Sequence, residues 1–190
     1  PLQLFRSDVT RSSDTADSLL SRLGLNDPEA AAYLRNARMA RQQLIGRAGR
    51  MVSVEGDGDH RLTRLTARWA NDKSDQFTRW VVERNGDGFV EREETSPLSI
   101  STRMGNGTIQ SSLFAATDEA DIPDSVASQL ADIFAGDIDF HRALRKGDRF
   151  AVVYESLEAD GEVLRTGRVL SAEFVNNGKT HQAFWFKEPN

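Results

Sequence analysis

Apolar residues near the start of the chain recur at the spacing of helices. A stripe of leucines follows an N-cap at Ser13 or Asp14 and precedes a stop at Gly24. Asp27 is suited to cap a second helix, since Pro28 occupies its first turn. The predicted helices run up to Gly24, over residues 30–39 and over residues 42–45.

After these helices the pattern changes to alternation of apolar and polar residues, which predicts strands. Two pairs of strands, 51–55 with 62–69 and 77–83 with 89–93, flank glycine-rich turns. The turns, Gly56-Asp57-Gly58-Asp59 and Asn85-Gly86-Asp87-Gly88, resemble calcium loops in composition. The twelfth loop position holds Arg68 or Ser96 rather than glutamate, so ordinary hairpin turns are favoured.

The second half repeats this mixture of helices and strands. Gly105-Asn106-Gly107 predicts a third hairpin between strands at 99–103 and 108–112. A short helix over 112–120 and a longer one from Pro123 to Gly136 follow, and then a helical turn over 140–144. Strands are predicted over residues 150–156, 163–174 and 181–186. The predicted core joins Val126, Leu130, Ile133 and Phe134 of the longer helix to Phe150, Val152, Phe174 and Phe184.

These elements predict an α+β fold of two small domains, each with a few helices packed on an antiparallel sheet. We place the boundary between residues 1–97 and residues 98–190, where Pro97 interrupts the pattern. The 190-residue chain has 38% hydrophobic and 28% charged residues, which is typical of globular proteins. Pro1 in place of methionine, and an aromatic run close to Asn190, lead us to expect a piece of a longer protein.

Composition also limits the chemistry. The net charge of −5 argues against general nucleic-acid binding through phosphate neutralisation. The sequence has no cysteine and three histidines, so it offers neither a thiol nucleophile nor a histidine-rich metal site.

One acid–base cluster is conceivable. Asp137, Asp139 and His141 alternate, so on an extended segment all three would face the same way, as metal binding or hydrolysis requires. The structural alternative is that Asp139 caps the short helical turn while Ile138 and Phe140 enter the core. We favour the structural alternative, since no histidine pair lies nearby.

Arginines at three-residue intervals close the second predicted helix. Arg35, Arg38 and Arg41 could contact an anionic polymer, or they could form the solvated face that a helix C-terminus favours. The solvated face is the favoured interpretation.

Several stretches of the second half match a known pattern. They are residues 111–116 (SSLFAA), 122–124 (IPD), 129–134 (QLADIF), 137–142 (DIDFHR), 144–150 (LRKGDRF), 153–155 (VYE), 167–174 (GRVLSAEF) and 178–184 (GKTHQAF). These stretches resemble the domain just upstream of the peptidase domain in the MepM-like group of LytM-type zinc peptidoglycan endopeptidases of Gram-negative bacteria. Residues 14–24 (DTADSLLSRLG) resemble the start of that group's LysM-like domain.

The resemblance implies a non-catalytic region of a cell-wall endopeptidase. The family's peptidase domain binds zinc through H-x-x-x-D and H-x-H motifs, and neither motif occurs here. We therefore expect no catalytic residue, metal ligand or cofactor in this chain, and zinc in a peptidase domain that lies outside it. The implied partners are peptidoglycan and that peptidase domain, whose groove the second domain would position or cover. The implied location is the Gram-negative periplasm, with the parent protein anchored at the inner membrane by a removed N-terminal segment.

The resemblance also places a shallow glycan groove at residues 14–25 and the segment that follows. The substrate-binding candidates are Tyr33, for sugar stacking, with Arg35, Arg38 and Arg41 for peptide carboxylates. A free-standing glycan-binding or envelope scaffold protein is the alternative, and an independent hydrolase that uses Asp137, Asp139 and His141 is a third hypothesis. The downstream sequence of the natural gene product would discriminate between them.

Overall fold

The structure is a computed structural model that describes residues 3–184. Within these residues, two antiparallel sheets and five short helices form two units, the first ending at Leu98 and the second beginning at Ser99. Strands dominate both units, so the structure is richer in sheet than the α+β arrangement predicted from the sequence. No helix within the described range is long and apolar enough to cross a membrane.

The first unit is an antiparallel sheet in the order β1-β2-β3-β4-β5 with three helices. Its core contains leucines of the helices, such as Leu19 and Leu34, with Val54, Leu65 and Trp80 of the sheet. The strands are β1 (Leu4–Val9), β2 (Met51–Gly56), β3 (Leu62–Ala70), β4 (Gln76–Asn85) and β5 (Gly88–Pro97). The helices are α1 (Ala16–Arg22), α2 (Pro28–Asn36) and α3 (Arg38–Gln43).

The caps of α1 explain its position and correct one prediction. Thr15, rather than Ser13 or Asp14, is the N-cap, and its hydroxyl accepts a hydrogen bond from the Ser18 amide at 3.0 Å. Gly24, at φ +82°, follows the helix as predicted, in a conformation that glycine adopts without strain.

Asp14 instead belongs to an ionic network that joins α1 to β1. The Arg22 guanidinium contacts Asp14 at 2.6 Å and Asp8 at 2.9 Å. It also donates to the Val9 carbonyl oxygen at 3.0 Å. Strand β1 has no counterpart among the predicted strands, because its burial pattern lacks the alternation that marks a half-buried strand. Hydrogen bonds to Arg22 lower the pKa of Asp14 to about 2.

The second and third helices are separated at Ala37, whose extended backbone (φ −73°, ψ 126°) ends α2. The prediction that the second helix continues to residue 39 is therefore wrong, and α3 begins at Arg38 instead of residue 42. Alanine favours helix, so local propensity gives no signal for this break.

The second unit is an antiparallel sheet in the order β6-β7-β8-β9 with two helices. Phe174 is fully buried, and its ring lies 5.4 to 6.1 Å from those of Phe134, Phe140 and Phe150. The elements are β6 (Ser99–Thr108), α4 (Leu113–Glu119), α5 (Asp124–Phe134), β7 (Arg149–Ala159), β8 (Glu162–Asn176) and β9 (Lys179–Phe184). Residues 185 and 186 of the last predicted strand lie outside the described residues.

The predicted core of this unit is correct in part. Val126, Leu130 and Phe134 of α5 are buried. Ile133 is 39% exposed and Phe184 is 63% exposed, so their assignment to the core is wrong. Ile133 follows Leu130 by three residues but lies at the edge of the apolar stripe, because a short helix on a sheet buries only part of its circumference.

The predicted third hairpin is also wrong. Gly105-Asn106-Gly107 lies inside β6, which pairs along its whole length with β7. A Cβ atom at Gly105 would lie 2.6 Å from Ile122 Cδ1, and one at Gly107 would lie 2.7 Å from Phe150 Cζ. The glycines thus provide space for core side chains and do not turn the chain.

Candidate functional site

A groove lies between α1 and α2 of the first unit, in the region where the resemblance predicts glycan binding. It has a volume of about 250 Å³ and opens at the turn that connects the two helices. Ser21 and Asn26 are exposed at its rim and offer a hydroxyl and an amide for hydrogen bonds to sugar hydroxyls. Its lining residues are Asp17, Leu20, Ser21, Leu25, Asn26, Asp27, Pro28 and Ala31.

Asp27 fixes the floor of this groove. One carboxylate oxygen accepts from the Ala30 amide at 3.0 Å, which caps α2 as predicted. The other accepts from the Leu62 amide at 2.9 Å and from the Arg84 guanidinium. Because its oxygens are occupied by these donors, Asp27 holds the helix turn against β3 and β4. Arg84 could not be found from local sequence signals, because it is 57 residues away from Asp27.

Arg35 already has a partner at the edge of the groove. Its guanidinium donates to Asp17 Oδ2 at 2.7 Å, and both side chains are more than half exposed. An ion pair this exposed contributes at most about 1 kcal/mol to stability, so a ligand carboxylate could replace Asp17 at small cost.

Arg38 and Arg41 lie on α3, beyond the break at Ala37, and so do not share one helix with Arg35. Both side chains are exposed, and neither forms an ion pair with any residue between 3 and 184. They are therefore accessible to an anion.

Tyr33 lies outside the groove lining. Its ring centroid is 5.0 Å from that of Phe89, and its hydroxyl donates to Glu91 of β5. Burial of the phenol, together with Glu91, raises the pKa of Tyr33 to about 12. Stacking of this half-buried ring on a sugar stays a prediction.

The two tryptophans of the predicted strands provide no open stacking surface. Trp69 is 5% exposed and Trp80 is 1% exposed, and both belong to the hydrophobic core of the first unit. Neither ring is therefore available for stacking on a sugar.

The acid–base candidate is accounted for by local structure. Asp139 Oδ1 accepts from the amides of His141 and Arg142 at 3.0 and 3.1 Å, which confirms its capping role. Ile138 is buried and Phe140 packs on the same core. Within residues 3–184, no group of three or more histidine or acidic side chains is placed to hold a metal ion.

Sequence comparison confirms the resemblance to peptidoglycan endopeptidases, although no family model matches the chain. The chain is 24% identical over 172 residues to the peptidoglycan DD-endopeptidase ShyC of Vibrio cholerae, which covers 83% of this chain and 39% of that protein. It is 26% identical over 133 residues to the DD-carboxypeptidase/endopeptidase Mpg of Neisseria meningitidis, covering 70% of this chain and 30% of that protein. The chain thus spans well under half the length of these relatives.

Solved structures share the fold. A zinc-containing peptidase from Vibrio cholerae matches 94% of this chain and 54% of its own, with a TM-score of 0.50 and 17% identity. Csd3 of Helicobacter pylori matches 94% of this chain and 47% of its own, with a TM-score of 0.57 and 14% identity. The fold is therefore shared with a zinc-containing peptidase and with Csd3, whose chains are about twice as long.

Proposed function

We propose that the chain is a non-catalytic region of a cell-wall metalloendopeptidase that acts on peptidoglycan in the bacterial envelope. The similarity to DD-endopeptidases over 83% of the chain carries this proposal. The sequence has no H-x-x-x-D or H-x-H motif, so zinc and the hydrolytic step belong to a peptidase domain of a longer protein. The periplasm is the proposed location, with the parent protein anchored at the inner membrane.

The first unit, as a LysM-like domain, binds peptidoglycan in this proposal. Its groove has a rigid floor at Asp27 and polar rim groups at Ser21 and Asn26, which suit a sugar chain. Arg38 and Arg41 add attraction for the carboxylates of peptide stems. A shallow groove without an aromatic ring predicts weak binding, with a Kd of roughly 1 mM, or about −4 kcal/mol. Tethering to the same polymer raises the effective concentration of a linked peptidase domain at its substrate.

Retention of the 190-residue chain on purified sacculi tests this role. We expect partial retention at low salt and a smaller retained fraction at high salt, because the arginine contribution is screened. Ser21→Trp should abolish retention by filling the groove. Ser13→Trp, at an exposed position outside the lining, is the matched control and should be retained as the wild type is.

A triple change of Arg35, Arg38 and Arg41 to glutamine should remove the salt-dependent part of the retention. The chain itself should release no soluble muropeptides. Equal loss in the Ser21 and Ser13 variants, or no retention at either salt concentration, would contradict glycan binding. Release of muropeptides would contradict the non-catalytic assignment.

The second unit covers or positions the peptidase groove in this proposal. The side of its sheet that faces away from the helices carries Met104, which is 82% exposed, and Phe184, around a depression of about 210 Å³. Exposed apolar groups of this kind are typical of contact surfaces. A preference of a few kcal/mol for the covered state would keep activity low. In the full-length gene product, Met104→Asp should raise muropeptide release several-fold, and an unchanged rate would refute the covering role.

A further inference from the structure

A second pocket of the first unit lies where the end of α3 approaches the end of β3. It has a volume of about 110 Å³ and is almost entirely polar. It shares no lining residue with the groove between α1 and α2. Its lining residues are Gln43, Arg47, Arg50, Trp69, Ala70, Asn71 and Asp72.

Arg50 is rigidly placed in this pocket. Its amide donates to Thr10 Oγ1 at 2.9 Å, and its carbonyl oxygen accepts from the Thr10 amide at 2.8 Å. The guanidinium carbon lies 6.0 Å from the centroid of the Trp69 ring. The backbone of Arg50 is therefore held in place before any ligand arrives, and its guanidinium lies beside the Trp69 ring.

The hydrogen bonds of this guanidinium are incomplete. Its Nε is buried without a hydrogen-bond partner, and Nη2 reaches Gln43 Oε1 only at 3.5 Å. Arg50 forms no ion pair with any residue between 3 and 184. A buried charged donor without an acceptor is unfavourable, and an arginine stays protonated in proteins. The negative charge of an anion in the pocket would offset part of this cost.

Arg47 supplies a second positive charge. Its Nε donates to the Gln42 carbonyl oxygen at 2.6 Å, and the structure shows no ion pair for it within residues 3–184. Burial and the charge of Arg47 lower the pKa of Arg50, while Asp72 raises it. The two guanidinium groups therefore repel each other, and one negative charge between them would favour both.

We propose that this pocket binds a planar monocarboxylate, such as the C-terminal carboxylate of a short peptide. A guanidinium presents parallel N–H donors that match the two oxygens of a carboxylate. Arg47, Arg50 and Asp72 together give the pocket one net positive charge, which a monocarboxylate neutralises and a phosphate dianion exceeds. The proposal stands independently of glycan binding in the groove.

Titration of the isotope-labelled 190-residue chain with N-acetyl-alanine, followed by NMR, tests the pocket. The indole N–H of Trp69 and the amides of Arg47 and Arg50 should shift saturably. N-acetylalaninamide, which has the same shape without the charge, should cause no saturable shift. Inorganic phosphate should bind at least several-fold more weakly.

Variants locate the site. Arg50→Gln should weaken binding at least ten-fold, and Arg47→Gln should weaken it several-fold. Arg38→Gln removes an exposed arginine outside the pocket and should leave binding unchanged. If Arg50→Gln unfolds the chain, Arg47→Gln at its exposed position decides the outcome. Equal shifts with acid and amide, tighter binding of phosphate, or equal weakening by Arg38→Gln and Arg47→Gln would overturn the proposal.

Discussion

Replacing Asp14 with asparagine should destabilise the first unit in a pH-dependent manner. The side chain of Asp14 is 3% exposed and pairs with Arg22 at 2.6 Å, which lowers its pKa from 3.8 to about 2. A pKa difference of this size between the folded and unfolded states corresponds to about 2 kcal/mol of folding free energy at neutral pH. Asparagine keeps the shape of the side chain but loses the charge that Arg22 requires.

The sign of the pH dependence follows from the lowered pKa. Stability from Asp14 is complete above the unfolded pKa of 3.8 and is lost as the pH falls through the folded pKa of about 2. The difference between wild type and Asp14→Asn should therefore be about 2 kcal/mol at pH 7 and about half of that near pH 3. The variant should show a flatter stability profile over this range.

Urea unfolding monitored by tryptophan fluorescence measures this difference. A Trp185→Phe background leaves Trp69 and Trp80, both in the first unit, as the reporters. Asp8→Asn is the matched control, because Asp8 contacts the same arginine but is 39% exposed, and it should cost less than about 1 kcal/mol. A penalty for Asp14→Asn that is zero at pH 7, or identical at pH 7 and pH 3, would refute the reasoning.

Three further predictions concern the core and one phenol. Phe134→Ala should destabilise the second unit by about 3–5 kcal/mol in thermal or urea unfolding, because its ring is buried. The half-exposed Ile133 is the control, and Ile133→Ala should cost less than about 1 kcal/mol. Equal effects of the two changes would contradict the assigned core. Gly107→Ala should cost about 1–3 kcal/mol through its contact with the Phe150 ring, while Gly136→Ala, with no atom near its added Cβ, should be close to neutral. An ultraviolet titration should show a phenol that ionises near pH 12, and this transition should be absent in Tyr33→Phe. Because folding raises the pKa of Tyr33, the stability gained from the neutral phenol is complete below pH 10 and is lost as the pH rises through 12.

Features set by neighbouring residues could be predicted from the sequence. The αL glycine after α1, the Asp27 cap and the turn at Asn85-Gly86-Asp87-Gly88 all depend on backbone preferences within a few residues. Asp139 follows the same rule, since its hydrogen bonds reach only two and three residues along the chain. Periodicity also identified the buried face of α5, apart from its edge at Ile133.

Features set by distant residues could not be predicted in this way. Two segments of similar glycine-rich composition adopt different structures: the chain turns at Gly86 but continues as a strand at Gly105. The difference arises because Ile122, which is distant in sequence, packs directly against Gly105. Strand β1 has no alternating pattern of its own and is held by pairing with β2 and by Arg22.

The candidate binding surfaces show the same division. Sequence spacing placed three arginines on one helix, but the chain turns at Ala37 and divides them between α2 and α3. The buried Nε of Arg50 depends on how Trp69 and Thr10 pack around it from other elements. Local preference therefore determined the turns and caps of this protein, while the desolvation of charged groups, which requires atoms distant in sequence, was decided only by the tertiary structure.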